Sequence, residues 1–153
     1  MAVQNTWTAD GAVGAGSPTV AVRPARWAAR MLGPVQFALA ALFVVAGAAT
    51  LSGAPAVAAQ FGTIDNVTGL GAWFRAATGI LELLGGVLLC VRAAAGVGAV
   101  LLAAVMTGAV LMHVFVLQTA PTAAAALGTV LAVVAYAHRA ALAVVAARLE
   151  RNL

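Results

Sequence analysis

Charged positions in this chain are so far apart that the intervals between them define its elements. None occurs from Met31 to Ile64, and none again from Ala93 to His138. A run of about 20 apolar residues makes a helix that crosses a bilayer core of about 30 Å. The first interval predicts a span over 32–51, with Pro34 in its first turn, where a helix tolerates proline. A second is predicted over 72–91, opening on Trp73 and Phe74 as interfacial aromatics and closing before Arg92. The 46 residues from Ala93 to His138 would make one helix about 69 Å long, so they must turn back once. The turn is Gln118-Thr119-Ala120-Pro121-Thr122, giving helices over 96–117 and 122–147, the last extending past Arg139 into or out of the interface.

The connection from Ser52 to Gly71 is rich in turn formers: Gly53, Pro55, Gly62, Asp65, Asn66 and Gly69. Its middle, 55–64, is apolar enough to lie in the interface or to dip back as a short re-entrant helix. Residues 1–22 mix Gly, Ala, Ser and Thr with no apolar face and are expected to form a disordered cytoplasmic tail ahead of a membrane domain over 23–153. Arg23, Arg26, Arg30, Arg92, Arg139, Arg148 and Arg151 then share one side, with Arg75 near the other. The expected fold is all-α: a polytopic four-transmembrane-helix bundle with both termini cytoplasmic. Gly79, Gly85 and Gly86, with Gly98, Ala104 and Gly108, are expected to let the helices approach closely.

Composition agrees: 64% of residues are hydrophobic and 8% charged, against about 25% charged in soluble domains. All eight basic residues are arginines at the ends of apolar spans, with no basic stripe, so nucleic acid is excluded as a partner. A single cysteine, Cys90, rules out an internal disulfide or a Cys-x-x-Cys redox pair. His113 and His138 fall near opposite faces, so no metal set of three or four ligands is expected.

The candidate chemistry therefore lies in the polar residues at bilayer depth. Arg75, Gly79, Glu82 and Gly86 share one helical face, joining a cation and a carboxyl to two positions without side chains. A glutamate there costs roughly 2.5 kcal/mol or more, so it needs a partner, water or a proton. With Ala72 and Leu117 as outer ends, Arg75, Glu82 and His113 lie about 4, 15 and 6 Å below the boundary. Arg75 and Glu82, about 10 Å apart, are too distant for a direct pair, and His113 is the candidate between them by depth. Arg75, Glu82 and His113 thus form a candidate ligand or proton site, lined by Gly79, Gly86, Met106 and Ala109, with no catalytic group among them. A lipid-soluble ligand such as a quinone is the expected cofactor class. The competing reading is a network that only orders helix packing. Gln36, Thr50, Thr78 and Thr107 are read as packing hydrogen bonders, and His138 and Arg139 as snorkelling to headgroups.

Ala41-Leu42-Phe43 through Gly47, Phe74-Arg75 followed by Gly79-Ile80-Leu81-Glu82-Leu83-Leu84-Gly85-Gly86, and Met106 with Ala109 and His113 make the chain resemble the DoxX-like family of small four-helix membrane proteins. The resemblance covers about 35–139. At Thr50 the chain departs from it, because such proteins often carry a lysine there. The resemblance implies a multi-pass protein of the bacterial plasma (inner) membrane, a subunit or anchor of a redox, quinone-linked membrane complex and not catalytic alone. Alternatives are a small proton-coupled transporter or permeation unit, and a purely structural anchor for a soluble partner. Expected partners are the lipid bilayer and either further copies of the chain, as a homo-oligomer, or other membrane or peripheral subunits.

Overall fold

The computed structural model describes the backbone of residues 26–151 and the side chains of 32–148, 150 and 151. The expected tail, 1–22, and Arg23 lie outside the described residues. Six helices and no strand are found among those described: α1 (Arg26–Ser52), α2 (Pro55–Thr68), α3 (Gly71–Cys90), α4 (Ala95–Phe115), α5 (Thr122–Ala137) and α6 (Arg139–Glu150). Three segments are long and apolar enough to cross a membrane, Leu32–Ser52, Gly71–Cys90 and Ala95–Phe115. The bent pair α5–α6 makes a fourth if it is counted as one span.

Two elements differ from the sequence expectation. The segment after Ser52 is a 14-residue helix, α2, longer than the short helix over 55–64 that is one of the two expectations for this connection. Two of the turn formers sit at its ends, while Gly62 lies in its middle: Pro55 occupies the first turn, and Gly69, at φ 69°, closes it with an N–H to Asp65 O bond of 2.7 Å. The last helix is not continuous over 122–147, because α5 and α6 are bent by 71° about His138. Helix α1 also starts earlier than 32, so Pro34 lies inside it instead of in its first turn.

Helix α1 ends as its sequence dictates. Gly53 takes φ 69°, Gly53 N–H donates to Thr50 O (3.4 Å) and Ala54 N–H donates to Ala49 O (3.1 Å). This pair of bonds is a Schellman cap, which turns the chain sharply into α2.

Helix α3 packs against α1 on one side and α4 on the other, and α4 packs against α5. The α1–α3 seam has a 3.5-residue period: Gln36, Ala40, Phe43, Gly47 and Thr50 are buried on α1, and Gly79, Glu82, Gly86 and Leu89 on α3. Small residues bring the two backbones together. A Cβ on Gly47 would stand 2.8 Å from Gly79 O and Leu83 N, closer than atoms pack. Gly98 on α4 meets α3 in the same way, 2.9 Å from Gly85 O. Phe43, Leu89, Leu102, Leu131 and Val134, from α1, α3, α4 and α5, form the centre of one core.

Ala104 and Gly108 do not supply the expected contacts. Ala104 is exposed and Gly108 has nothing within 4 Å, because both lie off the buried 95–98–102–106 stripe of α4. Ile80, Leu84, Val87, Trp73 and Phe115 are exposed, as lipid-facing positions of spanning helices should be. Because the atoms opposing Gly47 are backbone, Gly47→Ala should lower stability by about 1–3 kcal/mol. Thermal unfolding in detergent would show this as a reduced midpoint, while Gly108→Ala, in open space on α4, should keep or slightly raise it. An unaltered midpoint for Gly47→Ala would contradict the close seam.

Candidate functional site

The sequence-predicted residues fall into three places. Arg75 and Glu82 are brought together, but through Thr50 and not through His113. Thr50, 5% exposed at the end of α1, donates its hydroxyl to Glu82 Oε2 at 3.2 Å. Arg75 donates from Nη1 to Thr50 O at 2.9 Å and to Leu51 O at 3.3 Å. These two carbonyls belong to the last turn of α1, where helical partners run out. Arg75 therefore caps α1 from α3, its cation set against the negative end of that helix. Gly79 and Gly86 lie on this same seam, against Leu51 and Val44 of α1. No direct bond joins Arg75 to Glu82 among the described residues.

Met106 is separated from both. It is buried beside a groove between α4 and α5, where Gly128 and Ala124 face it.

His113 stands at a cleft between α2, α3 and α4. The cleft has a volume of about 60 Å³, and its lining includes Gln60, Phe61, Phe74, Thr78, Ala109 and His113. Phe61 of α2 and Phe74 of α3 meet with ring centroids 6.1 Å apart, tilted by 50°, and form an aromatic wall. Two bonds hold the imidazole. Nδ1 lies 2.8 Å from Thr119 Oγ1, and Nε2 lies 3.4 Å from Gln60 Nε2. The α4–α5 turn wraps around His113, because Thr119 N–H also donates to His113 O at 2.9 Å. With the Gln60 amide nitrogen assigned toward it, Nε2 accepts and Nδ1 carries the proton it donates to Thr119. One polar edge thus combines an amide and an imidazole over an otherwise apolar space. Chemically this suits a flat, lipid-soluble molecule with one hydrogen-bonding end.

Gln60 was missed by sequence reasoning, which placed it in a connection. Its signal was the apolar spacing Val57, Phe61 and Ile64, a helical face with Gln60 on its edge. His138 also departs from expectation. It turns inward, with Nε2 3.2 Å from Gln36 Oε1, whereas headgroup snorkelling was expected. Gln36 in turn donates from Nε2 to Leu89 O. Every buried side-chain polar atom among the described residues has a hydrogen-bond partner. Among those residues no group of three or more His, Cys, Asp or Glu could hold a metal ion.

Apolar spans, a small-residue seam and internally satisfied polar groups define a multi-pass integral membrane protein in contact with lipid. More particularly, the chain belongs to the DoxX-like family, whose model matches residues 34–138, from Pro34 in α1 to His138 at the α5–α6 bend. Comparison with curated proteins and with solved structures finds no match.

Thr50 is the shared partner of Arg75 and Glu82, so Thr50→Val should leave the Glu82 carboxyl without its donor and cost about 1–3 kcal/mol. Thr50→Ser, which keeps the hydroxyl, should recover most of that stability. Equal chemical or thermal stability of the two variants would show that the bond contributes nothing.

Proposed function

We propose that this protein is a membrane subunit or anchor of a redox-linked complex, and that the cleft between α2, α3 and α4 holds the head of a quinone-class lipid. The observation that carries this reading is the aromatic wall of Phe61 and Phe74 beside the Gln60–His113 pair. The DoxX-like membership supports it. In this reading His113 orients the Gln60 amide, whose second N–H and oxygen hold a carbonyl or hydroxyl of the ring. Arg75 and Glu82, tied to Thr50, hold α3 rigid behind it; Thr78 in the lining is one turn from Glu82.

The topology that goes with this reading has four spans, with α5 as the fourth, ending near the α5–α6 bend, and both termini on the cytoplasmic side of a bacterial plasma membrane. Arg92, Arg139, Arg148 and Arg151 then sit inside and Arg75 near the outer face, as the distribution of positive charge requires. The cleft opens toward the outer leaflet.

His113→Ala and Gln60→Ala should each weaken binding of a soluble quinone analogue about two- to tenfold, the range of a single neutral hydrogen bond. Glu82→Gln, whose amide oxygen still accepts from Thr50, should bind as the wild type does. Titration of purified protein in detergent reads this out. Equal affinity in all four proteins, with no quinone co-purifying, would overturn the ligand reading, and liposome flux dependent on Glu82 would favour permeation in its place.

A further inference from the structure

The end of the bundle away from α2 carries a second polar junction that the quinone reading does not use. His138 is where α5 stops and α6 starts. Its N–H is shared between Val134 O and Ala135 O, both at 3.1 Å, and its own carbonyl accepts from Leu142 N–H at 3.1 Å. The 71° bend falls on this residue.

The side chains fix that bend to a distant part of the fold. Leu89 O can only accept, so the Gln36 amide nitrogen faces it and the amide oxygen faces His138. His138 Nε2 must therefore carry a proton and donate, and the bond ties the bend to α1 across the bundle. Gln36 is 8% exposed, which shields this tie from water. On the other side, Gly96 leaves room for α6 at the start of α4: a Cβ there would meet His138 Cβ and Leu142 Cγ at 3.1 and 3.0 Å. Helix α6 is thus braced across the end of the bundle and turned away from the direction of α5.

Its exposed surface is mixed. Ala140, Ala141, Ala143 and Val144 are exposed, with Arg139 before them and Arg148 and Arg151 after them. Arg92, in the α3–α4 turn at the same end, is also exposed, and Glu150 is the one acid of α6. Arg139 is held in place, its guanidinium 4.3 Å from the Tyr136 ring centroid and Nη1 bonded to Tyr136 O at 3.3 Å. That leaves most of its donor fork for a second acceptor.

We infer that α6 is an interfacial helix, braced by the Gln36–His138 tie, whose arginines bind the phosphates of anionic phospholipids. Depth favours lipid over an acidic protein. The 16 residues of α5 rise about 24 Å against a core of about 30 Å, so Arg139 sits about one helical turn inside the boundary, from where its long side chain reaches the headgroups. An α6 standing off the membrane would leave Val144, 54% exposed, in water, whereas at the interface it meets acyl chains.

The test uses the full chain in nanodiscs of phosphatidylcholine, doped with spin-labelled phosphatidylglycerol or spin-labelled phosphatidylcholine. The wild type should hold phosphatidylglycerol in preference, by about fivefold per arginine engaged. R139Q/R148Q/R151Q should lose that preference, while R75Q at the other end keeps it. A fluorophore on Val144→Cys in a Cys90→Ser background should be quenched by a headgroup-depth quencher and not by an aqueous one, and His138→Ala should reverse this. No lipid preference, a triple variant that behaves as the wild type, or a label open to water, as for a helix reserved for a soluble partner, overturns the inference. So does loss of the preference to added inorganic phosphate, which would make the ligand a soluble anion.

Discussion

A carboxyl group on an apolar helix has to find its hydrogen-bond donor inside the protein, and in this fold that requirement fixes the α1–α3 seam. Glu82 finds Thr50, and the same residue's carbonyl takes Arg75. Two charged-type side chains on one helix thus converge on the last turn of another. The turn they meet is the one whose carbonyls lack helical partners, so the cap and the seam are a single arrangement. Lipid offers no hydrophobic drive for helices to associate, so close backbone approach and interhelical hydrogen bonds must do so. Gly47 against Gly79 supplies the first in the middle of the seam, and Thr50 with Gln36 supplies the second at its two ends.

What the seam holds is a frame for two polar places at opposite ends. At one end, the Schellman cap that Arg75 reinforces sends the chain into α2, and α2 brings Gln60 and Phe61 over α3 and α4. Asp65 Oδ1 accepts the Gly71 N–H at 2.7 Å, so α2 also caps the start of α3. The cleft at His113 therefore depends on α2 being a helix with fixed ends and not a loose connection. At the other end Gln36 links α1 to the α3 terminus and to the α5–α6 bend. A single buried amide joins three segments there.

Much of this was legible in the sequence because apolar runs and their charged boundaries report span lengths directly. The intervals 32–51, 72–91 and 96–117 each fall close to a helix of the fold, and Gly79, Gly86 and Glu82 do share a face against a neighbour. Partner identity was not legible, because depth along a span says how far down a residue sits and not which way it points. His113 and Glu82 face different neighbours, α2 and the α4–α5 turn in one case and α1 in the other. Helix α2 was obscured by its turn formers, of which Pro55 and Gly69 mark its ends while Gly62 lies inside it, and the face Val57, Phe61 and Ile64 announced it. The bend at His138 has no proline or glycine to signal it. It is recognisable only from the bond to Gln36, a residue 102 positions away.

The proposed role depends on the cleft between α2, α3 and α4 being the place where a lipid-soluble ring is held. Photolabelling of the purified protein with a photoreactive quinone analogue, followed by peptide mass spectrometry, tests this most directly. Label is expected on Phe61, Phe74 and Met112, all of which line the cleft, and should be competed away by unlabelled quinone. Label confined to the α4–α5 groove beside Met106, or spread evenly over the lipid-facing helices and indifferent to competitor, would contradict it.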